Sequence, residues 1–325
     1  MDRRDFLVQS GAALAGATFA PQLSAIGETL QAAESAGAAA SQQGRLVLPI
    51  NRNWRFSPRV VDAGHAIEFD DSGFDRVVIP HTNKRLPWHS FDEKSYEFVS
   101  LYRRPFKLPA EAKGKRVFVD FEGVMTASTV WINGQKLGEY KGGYTPFSFE
   151  LTSHVNWDGE NLLAVDVDSS ERPDIPPFGF EVDYLTFSGI YREVWLRVVP
   201  EMYIENIFAV PKNVLSDQRT LEVRCYLDGP ASSWSTARTL EVELLDGDRV
   251  VSKASQKVTG QPPTSEEPAL QAVILTSLGQ IRLWTSSILS FTTCVSVCLK
   301  AARSSTKTRA VSAFAKPLSP TRASH

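Results

Sequence analysis

The stretch Phe178-Gly179-Phe180-Glu181-Val182-Asp183-Tyr184 mixes aromatic rings with two carboxylates. Aromatic faces pack against the C–H surfaces of sugar rings, and carboxylates accept hydrogen bonds from hydroxyls, so this mixture suits a carbohydrate site. Glu181 and Asp183 could in principle also act as an acid/base pair. Taken as a residue alone, Asp183 reads as a solvated loop carboxylate. His81, in Pro80-His81-Thr82, has the simpler account of a turn histidine bonding nearby backbone. Trp88 and His89 lie in the polar-aromatic loop 84–96, which could face a sugar or a neighbouring domain; packing is the simpler account.

The elements that must hold these residues are strands. Val117, Val119 and Phe121 alternate with Phe118 and Asp120, and Phe147, Phe149 and Leu151 alternate again, the period of a half-buried strand. Between them, Thr129–Ile132 meets Asn133-Gly134 and continues through Gln135 to Gly138. Asn-Gly between apolar runs predicts a hairpin, because a type I′ turn needs positive φ at both central residues. Further short strands are expected at Leu46–Ile50, Asn53–Phe56, Val77–Ile79, Leu101–Leu108, Leu162–Val167 and Ile190–Val199. No helical period competes over a sustained window. Many short strands with Gly, Pro and Asn turns predict an all-β chain, a jelly-roll β-sandwich over residues 44–200. On the last strand, Ile190, Arg192, Val194 and Leu196 share a face, so Arg192 is expected to be buried with an ion-pair partner.

After Pro200 a second β pattern begins, with strands at Tyr203–Val210, Leu221–Leu227 and Leu240–Leu245, and Asp246-Gly247-Asp248 turning into Arg249-Val250-Val251. Its spacing suits an immunoglobulin-like β-sandwich over residues 201–284, and the tail beyond Trp284 is what makes it an incomplete one.

Composition bounds the function. Hydrophobic residues make up 42% and the formal net charge is −2, which gives no electrostatic case for nucleic acid or an anionic membrane. Three cysteines, with Cys225 isolated, make neither a disulfide framework nor a zinc site, and no metal or cofactor is expected. No apolar run is long enough to span a bilayer. At the start, Arg3-Arg4-Asp5-Phe6-Leu7 precedes a mildly apolar stretch, Val8–Ala20, and an Ala-rich linker, Ala32–Gln43. A paired arginine before a weak hydrophobic region resembles a twin-arginine export signal, which predicts a periplasmic or extracellular product and sets residues 1–43 outside the fold.

Three motifs carry a family resemblance. Gly123-Val124, then Val130-Trp131-Ile132-Asn133-Gly134, and then Gly142-Gly143-Tyr144-Thr145-Pro146-Phe147 resemble, in that order, the N-terminal sugar-binding domain of family 2 glycoside hydrolases, the β-galactosidase, β-glucuronidase and β-mannosidase group. Ser188-Gly189-Ile190-Tyr191-Arg192-Glu193-Val194 is similar to the segment that closes that domain. The resemblance covers roughly residues 44–200, and Ile281-Arg282-Leu283-Trp284 resembles a late element of the immunoglobulin-like domain that comes next in the family. It implies a β-glycoside as ligand, with full-length homologues that are oligomeric. It also implies that Asp183, five residues before the serine of Ser188-Gly189-Ile190, reaches the substrate, with Glu181, Tyr184, His81 and Trp88 as further binding candidates. β-Galactosidases place a substrate-contacting asparagine near the position of Phe98-Val99-Ser100-Leu101; this chain has none there, a departure from the β-galactosidase pattern in particular.

The family's mechanism is a retaining one, with two glutamates about 5–5.5 Å apart on a (β/α)₈ barrel. No such barrel is encoded here, so no catalytic residue is assigned, and the chain by itself is expected to be inactive. A free-standing carbohydrate-binding module or scaffold is the competing expectation. Beyond Trp284 the resemblance stops: 285–325 contains neither acid nor glycine. Shifted by one base, Phe291–Val297 can encode Tyr-Asp-Val-Arg-Val-Arg, and the shifted segments beyond it resemble the family's continuation. The tail is therefore expected to be translated out of frame and disordered, with a truncated second sandwich.

Overall fold

A computed structural model describes residues 44–311 except 88, 90–91, 179–183, 247–248, 260–268, 277, 279–292 and 302–303. The export-signal expectation, with Arg3 and Arg4, lies outside the described residues, as do Glu181, Asp183, Trp88 and the Ile281–Trp284 element.

Among the described residues the first part holds ten strands: β1 Leu46–Pro49, β2 Trp54–Ser57, β3 Asp75–Val77, β4 Val99–Phe106, β5 Arg116–Phe121, β6 Ala127–Ile132, β7 Gln135–Lys141, β8 Phe147–Glu150, β9 Asn161–Asp168 and β10 Val194–Val199. They form two antiparallel sheets, ordered β1-β10-β5-β8 and β3-β2-β4-β9-β6-β7, and the chain repeatedly switches between them. The alternation in β5 works as expected: Val117, Val119 and Phe121 are fully buried, in one core with Val130, Ile132, Leu163 and Val165 of the other sheet. Asn133 (φ 51°) and Gly134 (φ 81°) make the two-residue turn between β6 and β7, with Ile132 opposite Gln135.

β10 starts four residues later than expected. Ile190 is held instead by loop bonds: its carbonyl accepts the N–H of His81 at 2.8 Å, and the Gly189 carbonyl accepts that of Met125 at 3.0 Å. The strand begins where Asn51 Oδ1 accepts the Val194 N–H, 2.8 Å away. Arg192 therefore never joins the buried face, and the expectation of a buried, ion-paired Arg192 is corrected. The side chain is exposed, donates to the Tyr144 carbonyl at 3.3 Å, and lies 5.4 Å from the Tyr191 ring centroid. The half-buried arginine of β10 is Arg197, paired with Asp120 at 2.7 Å.

The second part holds β11 Tyr203–Lys212, β12 Thr220–Asp228, β13 Thr239–Asp246, β14 Arg249–Lys257, β15 Ala269–Leu275, β16 Thr293–Ala301 and β17 Ser304–Val311. Its sheets are ordered β11-β12-β15 and β14-β13-β16-β17, around a separate core of Ile204, Leu221, Val223, Leu227, Leu240, Val242 and Leu244. Two stretches of the tail expected to be disordered are strands, since β16 pairs with β13 over most of its length, Val242 opposite Val297, and β17 pairs with β16. The physical reason is visible in Val295, Val297 and Leu299, which keep a period of two through this stretch and supply the pattern a strand needs to complete a sheet.

Where the two parts meet, Arg116 bonds Glu150 of β8 (2.9 and 2.7 Å) and Asp228 of β12 (3.0 Å). The Tyr203 hydroxyl also donates to Asp228, and Arg116 and Arg197 both lie over the rings of Phe118 and Tyr203.

Candidate sugar-binding site

Segments from four connections tie together at the end of the first sandwich where β5 finishes at Phe121: residues 81–83 and 96, 122–126, 142–144, and 169 with 188–191. Met125 and Gly189 exchange backbone bonds, Gly142 N–H donates to the Thr126 carbonyl at 3.0 Å, and the Tyr191 hydroxyl donates to the Gly143 carbonyl. Asn83 is the buried hub. Its amide donates to the Tyr96 carbonyl (3.0 Å) and Ser169 Oγ (3.3 Å), and its carbonyl oxygen accepts from Ser188. Ser169 in turn donates to the Met125 carbonyl at 2.9 Å. Two glycines let the loops come this close. Gly189 has φ +83°, and a Cβ there would meet the Tyr102 hydroxyl at 2.5 Å and the His81 carbonyl at 2.8 Å; at Gly143 a Cβ would collide with the Met125 side chain.

On this scaffold sits a cluster of phenols. Tyr144 hydrogen-bonds Tyr184 and is pushed above the usual tyrosine range, chiefly by burial and then by that bond and its phenolic neighbours Tyr191 and Tyr96. Burial also raises Tyr191. Tyr96 is buried, and its hydroxyl lies 3.1 Å from Thr186 Oγ1. Tyr144 and Tyr184 expose 38% and 51% of their surfaces, and Phe178 and Phe187, near Tyr184 in sequence, expose theirs as well. Phe187 does so with φ 57°, a left-handed conformation that a side chain of this size rarely adopts. Beside the cluster, Asp174 is held at about 2 by Lys141 and then Arg172, and Arg172 also approaches Asp168 and Glu139. This bracing fixes the strand-to-loop exit after β9.

Of the residues expected from the sequence, Tyr184 lies in the exposed cluster, while Glu181, Asp183 and Trp88 lie outside the described residues. His81 is at the same end but turned inward. Its Nδ1 is 2.9 Å from the Tyr102 hydroxyl and its ring packs 4.9 Å from Phe56, so its partner is a side chain on β4 and not the nearby backbone. Sequence reasoning missed Tyr144, Phe187 and the Asn83 hub as site residues. Tyr144 had a signal, an aromatic directly after Gly142-Gly143; the hub had none, because its partners are up to 105 residues away. Among the described residues no group of His, Cys, Asp and Glu could hold a metal ion.

Comparison with known proteins settles the ancestry of this sandwich. Residues 59–200 match the family described as glycosyl hydrolases family 2, sugar binding domain. These residues are a family 2 sugar-binding domain. The chain is 46% identical over 168 residues to a β-galactosidase of Thermoanaerobacter pseudethanolicus, covering 51% of this chain and 23% of that protein. It is 29% identical over 222 residues to a β-glucuronidase of Bacteroides fragilis, covering 65% and 30%. In structure it resembles a calcium-binding mutant of Bacteroides uniformis β-glucuronidase 2, with a TM-score of 0.71 at 27% identity, over 83% of this chain and 33% of the other. The chain thus spans between about a quarter and a third of the length of these relatives.

Proposed function

We propose that this chain is the sugar-recognition portion of an exported family 2 glycoside hydrolase acting on β-glycosides, and that by itself it binds sugar weakly without cleaving it. The observation that supports this most is the pair of hydrogen-bonded, half-exposed phenols Tyr144 and Tyr184 on a family 2 sugar-binding domain. Such rings supply stacking faces, and Glu181 and Asp183, close in sequence to Tyr184, would supply hydroxyl acceptors. Hydrolysis in this family needs two positioned carboxyl groups, which we assign to a barrel in longer relatives and to no residue of this chain.

The test is a pair of assays on the purified chain. Titration with galactose, glucuronic acid and their β-glycosides should give weak saturable binding that Asp183→Asn and Tyr184→Phe reduce, while chromogenic β-glycosides stay intact. Turnover that survives purification and depends on Glu181 and Asp183 would overturn the assignment. The free-standing binding module predicts instead tight binding to a polysaccharide.

Two further proposals concern the ends of the sequence. Arg3-Arg4 before a weakly apolar stretch supports twin-arginine export; a fusion of residues 1–43 to a reporter, with the paired arginines replaced by lysines, tests it by loss of periplasmic reporter. The absence of acid and glycine from 285–325 supports a shifted reading frame, and the strand pattern of β16 is compatible with it, since the shifted Tyr-Asp-Val-Arg-Val-Arg alternates too. Resequencing the gene across the Trp284 codon decides this: an unbroken frame sinks the proposal.

A further inference from the structure

At the opposite end of β5 from the aromatic cluster lies a groove of about 670 Å³. Its walls come from the 113–116 turn, from Glu150, Thr152 and Trp157 of the first sandwich, and from Glu201, just before β11, and Asp228–Pro230, at the end of β12. β5 is six residues long, about 20 Å, so the two places are well separated.

Most charge in the groove is already engaged within the protein. Arg116 is taken by Glu150 and Asp228, Lys113 by Asp158, and Thr152 by Glu150. Three groups remain for a ligand. Trp157 is half-buried, packed on the core while also lining the groove, and its indole N–H has no acceptor among the described residues. The Lys115 ammonium has no carboxylate or carbonyl partner among them either, and Glu201 accepts only from Ser232. The formal charges of the lining, Lys113, Lys115 and Arg116 against Glu150, Glu201 and Asp228, sum to zero.

We infer that this groove is a second carbohydrate site, taking a neutral oligosaccharide with one ring against Trp157 and its hydroxyls shared between Lys115 and Glu201. An indole flank, one donor and one acceptor in a neutral cleft is what a polyhydroxylated ring with no charge of its own requires. The groove is open and its volume admits more than one sugar residue. This second site depends on the proposed sugar-recognition role only for its ligand class. Lying this far from the aromatic cluster, it would hold a long substrate at a second point and raise its local concentration.

The experiment titrates the full chain with cellohexaose and xylohexaose, reading tryptophan fluorescence and calorimetry. Saturable binding of at least one neutral oligosaccharide is expected, weakened about five-fold by Lys115→Ala or Glu201→Gln and unchanged by Tyr184→Phe. Trp157→Phe should remove the fluorescence change while keeping the fold, checked by an unaltered melting temperature. No saturable binding of any neutral oligosaccharide would overturn the inference, as would binding that tracks Tyr184 and ignores Lys115 and Glu201. That second pattern would leave the aromatic-cluster reading standing, so the two failures are distinguishable.

Discussion

The Nδ1 atom of His81 lies 2.9 Å from the Tyr102 hydroxyl, and the two residues close a ring of bonds with Ile190. The Tyr102 hydroxyl accepts the Ile190 N–H, while the His81 backbone N–H donates to the Ile190 carbonyl at 2.8 Å. Burial lowers the affinity of the His81 imidazole for a proton below the ordinary value of 6.5.

This arrangement makes stability depend on pH. Because the folded state binds this proton less well than the unfolded chain, the contribution of His81 is fully present above about pH 6.5 and is lost as pH falls toward its lowered value. Melting temperatures measured from pH 7.5 to 5 should decline for the native chain, and His81→Gln should flatten part of that decline. A slope identical in the two proteins would remove His81 as its source.

Tyr102→Phe strands the Ile190 N–H in a fully buried place. The expected loss is about 1–3 kcal/mol, seen as a lower urea midpoint with an unchanged slope.

Gly189→Ala should be worse than any alanine substitution at an open glycine. It combines a left-handed φ of +83° with a Cβ forced to 2.8 Å from the His81 carbonyl and 3.0 Å from the Asn83 nitrogen. We expect about 2–4 kcal/mol of destabilisation and loss of Tyr184-dependent sugar binding. Gly73→Ala, where a Cβ meets nothing within 4 Å, is the control and should change stability by less than about 1 kcal/mol.

Arg116→Ala removes the shared partner of Glu150 and Asp228 where the sandwiches meet. Glu150 is more than a third exposed, so water screens that half of the loss, and about 1–3 kcal/mol is expected in total. The informative readout is cooperativity: calorimetry should resolve two transitions in the variant where the native chain gives one, and a single shifted transition would mean that the buried Phe118–Tyr203 contact is enough to couple the two cores.

Cys225 is fully buried, and burial pushes its thiol up to about 12. It should resist thiol reagents in the native chain at pH 8 and react only on unfolding, which peptide mapping after alkylation can read.

The sequence by itself determined the strands and the turn chemistry. Val117, Val119 and Phe121 could bury only on one face of a strand, and Asn133-Gly134 could supply the paired positive φ values that a tight hairpin needs; both stand as expected. Its motif order also pointed to the family 2 sugar-binding domain that the comparisons bear out over residues 59–200. Local pattern could not fix what depends on contacts between distant segments. Ile190, Arg192 and Val194 share one face of a strand-like alternation, yet loop bonds to His81 and Met125 delay β10 and leave Arg192 in solvent. Ala269–Leu275 and Thr293–Ala301 become strands because sheet edges at β12 and β13 accept them. The phenol cluster was hidden for the same reason. Tyr96, Tyr144, Tyr184 and Tyr191 are scattered along the sequence, and only the closing of the loops around Asn83 and Gly189 brings them to one end of the sandwich.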